Sequence, residues 1–164
     1  MAFPAFAAWV FLPFVLPLCF YAAFTDLKEM RITNQMVVAL AAVFVVIGPV
    51  ALGWSDYGAG LIRMVIMLIA GIALNAGGVM GAGDAKFIAA AAGFILPPDL
   101  QLVVLILSAN LLAAVVTHRL AKHTPLRRIV PDWKSWEAGR KFPMGLSLGT
   151  SLAIYLGLAA VFGS

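Results

Sequence analysis

Two aspartates stand out in this sequence because almost everything around them is apolar. Asp84 follows Gly81-Ala82-Gly83 between two apolar runs, and Asp26 follows 25 residues without a charge. Ionisable side chains in or beside membrane-spanning segments are candidates for function by default. Two carboxyl groups that lie close together in a poorly hydrated site share one proton. The ionised group can then take a proton from water while the protonated group hydrogen-bonds a peptide carbonyl, so the pair predicts peptide hydrolysis.

Each aspartate also has a simpler interpretation. Asp84 precedes an apolar run and could be the N-cap of a helix, and Asp26 could be a solvated loop charge or a partner of Lys28. The glycines favour the catalytic interpretation, because Gly81 and Gly83 leave room for another backbone to approach closely. A protease that binds an extended substrate needs such room, whereas an N-cap does not.

The sequence offers few residues for other kinds of functional site. His118 and His123 lie five residues apart in a basic segment without nearby carboxylates, so no metal site is predicted. The glycine stretch is not a phosphate-binding loop, because Lys86 does not follow a glycine. Cys19 is the single cysteine and is expected to be a small buried side chain. The proposed Asp pair requires no cofactor.

The composition predicts an all-α, polytopic membrane protein with a single domain over residues 1–164. Of its 164 residues, 63% are hydrophobic and 11% charged, whereas soluble domains carry about 25% charged residues. The first apolar stretch has no basic residue before Lys28, which is unlike a signal peptide. A membrane-spanning helix needs about 20 apolar residues. Six spans are predicted, at about 3–24, 35–52, 60–76, 84–97, 100–117 and 143–162.

The fourth predicted span is short. From Asp84 to Pro98 there are 15 residues, or about 22 Å of helix, against a hydrocarbon core of about 30 Å. If Pro97 and Pro98 mark the outer face, Asp84 lies at the opposite membrane boundary.

The basic residues predict the orientation. Ten of the eleven fall in the alternate loops 25–34, 77–86 and 118–141, and Arg63 is the exception. Basic loops stay in the cytoplasm, so both termini are expected outside it and both aspartates on its side. Loop 118–141, with Trp133 and Trp136, is expected to anchor on anionic lipid. It has no motif for a nucleic-acid partner, and Asn75 and Asn110 are expected to hydrogen-bond between helices.

These residues together resemble the type IV prepilin peptidase family, specifically its short, peptidase-only members of the Flp/Tad pilus type. Gly81–Asp84 matches the Gly-x-Gly-Asp motif of that family. Asp26 matches its first catalytic aspartate, and the turn that follows ends in Ile-Thr-Asn at 32–34 where Ile-Pro-Asn is usual. Lys28 stands where Arg is common, and Phe142-Pro143-Met144-Gly145 matches a Pro-x-Gly element that opens the last span.

The resemblance implies an aspartic endopeptidase with Asp26 and Asp84 as catalytic residues. It would remove the leader from prepilins or pilin-like proteins at the cytoplasmic face of the bacterial inner membrane. Gly81 and Gly83 would shape the substrate-binding cleft, and Lys86 would orient Asp84 or form an ion pair at the membrane boundary. Methyl transfer is not implied, because the cysteine-rich segment of the long bifunctional members is missing, and the oligomeric state stays open.

Two other hypotheses remain. One is a related intramembrane protease with another substrate, since presenilin-like proteases share Gly-x-Gly-Asp, although their late Pro-Ala-Leu element is missing here. The other is a non-enzymatic membrane transporter or pilus-assembly scaffold with a proton-sharing Asp pair.

Overall fold

The computed structural model describes residues 1–124, 130–137 and 142–164. These residues form α-helices joined by short connections and 3-10 turns. The helices are α1 (Ala5–Glu29), α2 (Asn34–Ala51), α3 (Trp54–Ala76), α4 (Ala82–Ala91), α5 (Leu100–Lys122) and α6 (Met144–Phe162). The 3-10 turns are Ala92–Phe94, Pro97–Asp99 and Lys134–Trp136.

Five of these helices are long and apolar enough to cross a membrane, and α4 is not one of them. This supports the predicted all-helical membrane class, while the count of six spans and the placement of the termini stay predictions. α4 has ten residues. It changes into a 3-10 turn that contains Gly93, and Pro97 and Pro98 follow after two extended residues. Glycine weakens a helix and proline excludes the preceding residue from it, so the fourth apolar run does not form one continuous helix.

Several predicted loops are shorter than the sequence suggested. α1 continues to Glu29, so Asp26 lies in its last helical turn rather than in a polar turn. The connection between the predicted spans 35–52 and 60–76 is mostly the first part of α3, and α5 extends to Lys122 beyond the predicted end at 117. Charges mark where a helix leaves the apolar layer, but they do not end it, because Lys, Arg and Glu favour helices.

α1 and α6 share the most extensive helix interface and form the centre of the bundle. Their backbones meet where Gly149 faces Cys19, because a Cβ at Gly149 would lie 2.6 Å from the Cys19 carbonyl oxygen. Cys19 is buried, as predicted. Small residues at helix interfaces allow this close approach within membranes. α2 packs on α1, α3 packs on α4, and α5 packs on α6.

An aromatic cluster ties the start of the chain to the interrupted fourth element. Phe11 of α1 lies edge-on to Phe94 at 5.0 Å between ring centroids, and Phe44 of α2 contacts the same ring at 5.2 Å. All three rings are fully buried. Such edge-to-face pairs stabilise packing beyond the area they bury, so they fix the 3-10 turn against α1 and α2.

The two asparagines in apolar segments have different roles. Asn110 donates from α5 to the Ser147 carbonyl oxygen and to the hydroxyls of Thr150 and Ser151 on α6, as predicted. The prediction for Asn75 is wrong. Its side chain donates to the Met80 carbonyl oxygen five residues later, because α3 ends there and the chain turns back.

The termini meet at the end of the bundle opposite Asp26. The Ser164 amide donates to the Met1 carbonyl oxygen. The buried Asp99 carboxylate accepts hydrogen bonds from the amides of Ala2 and Phe3 and from the Tyr155 hydroxyl. The other end of the bundle, which contains Asp26, brings together the end of α1 and the starts of α4 and α6.

The contact at Gly149 predicts a helix-specific packing defect. Gly149→Ala should lower the thermal unfolding midpoint in detergent by several degrees, because overpacking costs about 1–3 kcal/mol. Gly157→Ala on the same helix is the control, since its Cβ would meet nothing within 4 Å. Equal midpoints for the two variants would contradict the close approach of α1 and α6.

Candidate active site

Asp26 is a buried carboxylate held by the first turn of another helix. It lies in the last turn of α1, and the backbone N–H of Gly145 donates to its Oδ2 at 2.6 Å. Gly145 is the second residue of α6, so its N–H has no partner within that helix. The positive end of the helix dipole and this hydrogen bond offset part of the cost of burying the charge of Asp26.

This contact requires a glycine at position 145, because a side chain there would collide with Asp26. A Cβ there would lie 2.8 Å from Asp26 Cβ and 3.0 Å from Oδ2. The Pro-x-Gly element was recognised in the sequence but no role followed from it. The structure supplies the role, because Pro143 directly precedes α6 and the glycine admits the aspartate to its first turn.

Asp84 is the half-buried third residue of α4, so the N-cap interpretation is wrong. The N-cap is Gly81, and a Cβ there would lie 2.8 Å from Asp84 Oδ2. Asp84 precedes the apolar part of α4, outside the five helices long enough to span. Burial, with a smaller contribution from the charge of Asp26, raises the pKa of Asp84 to about 6.

Both aspartates line one cleft of about 670 Å³. Its walls are the connection after α1, the loop between α3 and α4, and the segment that opens α6. Gly78 shapes the loop with a φ of 71°, which favours glycine. The lining residues are Asp26, Met30, Arg31, Ile32, Gly78, Val79, Met80, Gly81, Ala82, Gly83, Asp84, Phe142 and Met144. A water molecule and a peptide bond could therefore reach both carboxyl groups.

The predicted substrate-binding residues separate into two groups. Gly81 and Gly83 line the cleft. The backbone that approaches Gly83, however, is that of Ile32 in the same chain and not that of a substrate. A Cβ at Gly83 would lie 3.3 Å from Ile32 Cβ and 3.5 Å from Ile32 N. Lys86 is not among the cleft residues, and its Nζ donates to Asn34 Oδ1 at 3.0 Å. Lys86 thus fastens α4 to the start of α2 and does not pair with Asp84.

An aromatic cluster beside the cleft is not predicted by the sequence. His118 stacks on Trp136 at 4.9 Å and meets Phe142 edge-on at 5.9 Å. Trp133 stacks on Trp136 and contacts Phe24 of α1. Trp136 is only 4% exposed, so it packs against protein rather than lipid. Phe142 lines the cleft, which links this cluster to the site.

Part of the predicted lipid anchor falls outside the described residues, namely Arg127, Arg128, Arg140 and Lys141. Among residues 1–124, 130–137 and 142–164, no three His, Cys, Asp or Glu side chains are grouped as metal ligands.

The chain matches a known protein family. The model of the type IV leader peptidase family matches residues 13–118, about two thirds of the chain. The matched region contains both Asp26 and Asp84. No curated protein and no solved structure matches the chain significantly.

The raised pKa predicts that Asp84 destabilises the protein at neutral and alkaline pH. Its pKa of about 6 when folded exceeds the value near 4 of an unfolded chain. The folded state therefore binds more protons between these pH values, and stability falls as pH rises from about 4 to about 6. Asp84→Asn should unfold at a higher temperature than the wild type at pH 8, and the difference should shrink at pH 4.5.

The matched control is Asp56→Asn, which removes an exposed carboxylate at the start of α3. This variant should show no gain that grows with pH. If Asp84→Asn were less stable than the wild type at pH 8, the negative charge of Asp84 would stabilise the folded protein. That result would contradict the raised pKa of Asp84.

Proposed function

The chain belongs to the type IV leader peptidase family, and we propose that it is a membrane-embedded aspartic endopeptidase. Its substrates are prepilins or pilin-like proteins, from which it removes the leader peptide. The observation that carries this proposal is the cleft that two carboxyl groups from α1 and α4 line together. They differ in environment, because Asp26 receives the Gly145 N–H, whereas no described residue donates a hydrogen bond to the Asp84 carboxyl.

This difference supports one division of the two roles of an aspartic protease pair. Asp26 carries the negative charge and acts as the general base, and Asp84 holds the shared proton. Asp26 takes a proton from water as the oxygen attacks the scissile carbonyl carbon. Asp84 donates its proton to the carbonyl oxygen, which gives a neutral tetrahedral diol.

The second half of the reaction restores both groups. Asp26 passes its new proton to the leaving nitrogen as the C–N bond breaks. One diol hydroxyl returns a proton to Asp84 as the carbonyl re-forms. The products are a carboxyl terminus and a free amino terminus, and the pair again shares one proton. The titration of these groups belongs to the pair rather than to either residue.

The position of the cleft supports an active site on the cytoplasmic side of the inner membrane. It lies at the end of the bundle opposite the termini, beside Lys28 at the end of α1, Arg31 in the following connection and Lys86 near the start of α4. Basic loops are retained in the cytoplasm. The leader would reach the cleft from the cytoplasm, while the apolar segment that follows it stays in the bilayer.

The role of the pair is tested with purified protein and a prepilin substrate in detergent. Asp26→Asn and Asp84→Asn should each lower cleavage by about 10³-fold or more, because neither carboxyl can perform both proton transfers. Asp56→Asn, at the other end of the bundle, should cleave like the wild type. Leader removal is followed by gel shift and by mass spectrometry of the new amino terminus.

Two outcomes would contradict the proposal. Cleavage that survives either substitution would exclude the Asp pair as the catalytic group. A folded wild-type protein that cleaves no prepilin, but moves protons when a gradient is imposed, would favour a transporter with a proton-sharing pair.

A further inference from the structure

The short α4 leaves an apolar groove on the side of the bundle. α3 packs on α4, and α5 packs on α6 and on the turn Pro97–Asp99. Between these two pairs lies a groove of about 350 Å³, with α4 and α6 as its floor and α3 and α5 as its walls. We refer to it as the α4–α6 groove.

The groove lies beyond the catalytic cleft along α4, although the two share no lining residue among those the structure describes. Along α4, Ile88 and Ala91 line the groove, and they lie four and seven residues after Asp84. Positions i, i+4 and i+7 share one face of a helix. The groove therefore begins about one turn beyond Asp84 on the face that the aspartate presents to the cleft.

The same relation holds along α6. Met144 lines the cleft, and Leu148, Ser151 and Tyr155 line the groove at four, seven and eleven residues further. Both helices that form the floor thus carry one face from the cleft into the groove. From Met144 to Tyr155 this face is about 16 Å long, or about three helical turns.

The polar residues that line the groove already have hydrogen-bond partners within the bundle, and almost all of the groove surface is apolar. Arg63 donates to the carbonyl oxygens of Ala92 and Gly93. The Ser151 hydroxyl accepts from Asn110, and the Tyr155 hydroxyl donates to Asp99. An extended peptide would leave its backbone groups unpaired here, whereas a helix satisfies its own. Ala91 and Ala92 add little bulk to the floor, and small residues let a second helix approach.

We propose that the α4–α6 groove binds the apolar segment that follows the cleavage site of the substrate, as a helix. This inference rests on the proposed function, because it takes the scissile bond to lie at Asp26 and Asp84. The bound helix holds the substrate in register, so that the residues before it extend across the cleft. Specificity then comes partly from a surface one to three turns away from the catalytic pair.

Two neighbouring residues of α5 provide a matched test. Val104 lines the groove and is 54% exposed, while Leu105 is 65% exposed and is not among the groove residues. Val104→Trp should fill the groove without displacing buried packing. It should raise KM about tenfold for a prepilin with its apolar segment and leave kcat nearly unchanged, as expected for lost uniform binding.

The control substrate is a shortened prepilin peptide that ends soon after the scissile bond. Val104→Trp should cleave it like the wild type, and Leu105→Trp should behave like the wild type with both substrates. An unchanged KM for the full prepilin would overturn the proposal, and so would an equal loss with both substrates.

A direct contact measurement decides the matter if the Trp variants fold poorly. A benzophenone residue replaces Val104 or Leu105 in the uncleaving Asp84→Asn protein, in membranes that contain prepilin. Light should attach the apolar segment of the prepilin at position 104 and not at 105. Attachment of lipid alone at position 104 would overturn the proposal and make the groove an acyl-chain site.

These results are separable from the proposed function. Loss of cleavage in Asp26→Asn tests the catalytic pair with either substrate. The ratio of the two substrates in Val104→Trp tests the groove alone, because both contain the same scissile bond.

Discussion

The site depends on one hydrogen bond, from the Gly145 N–H at the start of α6 to the Asp26 carboxylate at the end of α1. A buried carboxylate is costly unless donors and dipoles replace its water. Here the first turn of a helix supplies both, and the most extensive interface of the bundle, between α1 and α6, keeps the two ends together. Two glycines of α6 permit this arrangement. Gly149 lets the backbones of α1 and α6 approach closely, and Gly145 leaves space for the carboxylate.

The second determinant is the length of α4. A ten-residue helix cannot extend across the apolar layer alone, and Asp84 in its first turn is half-buried beside the cleft. The same shortness leaves room between the α3–α4 and α5–α6 pairs for the α4–α6 groove. One irregularity, at Gly93 and the prolines after it, thus ends α4 early and leaves the apolar surface beside it. Arg63 satisfies the carbonyl groups that the interruption frees.

Much of this arrangement could be predicted from the sequence. Hydropathy predicts the helices, because the bilayer imposes their length and composition, and the aspartates stand out against that background. The meeting of Asp26 and Asp84 in one cleft agrees with the charge pattern of the loops. The helix ends were predicted poorly, because charges mark the edge of the apolar layer rather than the end of hydrogen bonding.

Other features depend on contacts that local sequence does not encode. The partner of Asp26 lies 119 residues away, so spacing could not reveal it. Lys86 follows Asp84 by two residues in the sequence, but its position on the helix directs its side chain toward Asn34. His118 and Trp136 were treated as parts of a basic loop, and only packing shows that they stack. The prolines after α4 predict a short fourth span, but neither the end of the helix at Ala91 nor the groove beside it follows from the sequence.

The central claim is that Asp26 and Asp84 share one proton and use it in hydrolysis. The most direct test is the pH dependence of kcat/KM for the wild-type protein with a prepilin substrate. A bell-shaped profile is predicted, because acid protonates Asp26 and alkali removes the proton of Asp84. The alkaline limb should lie near pH 6 or above, in line with the raised pKa of Asp84. Activity that rises once with pH and stays level to pH 9 would contradict the claim, because no protonated carboxyl would then be needed.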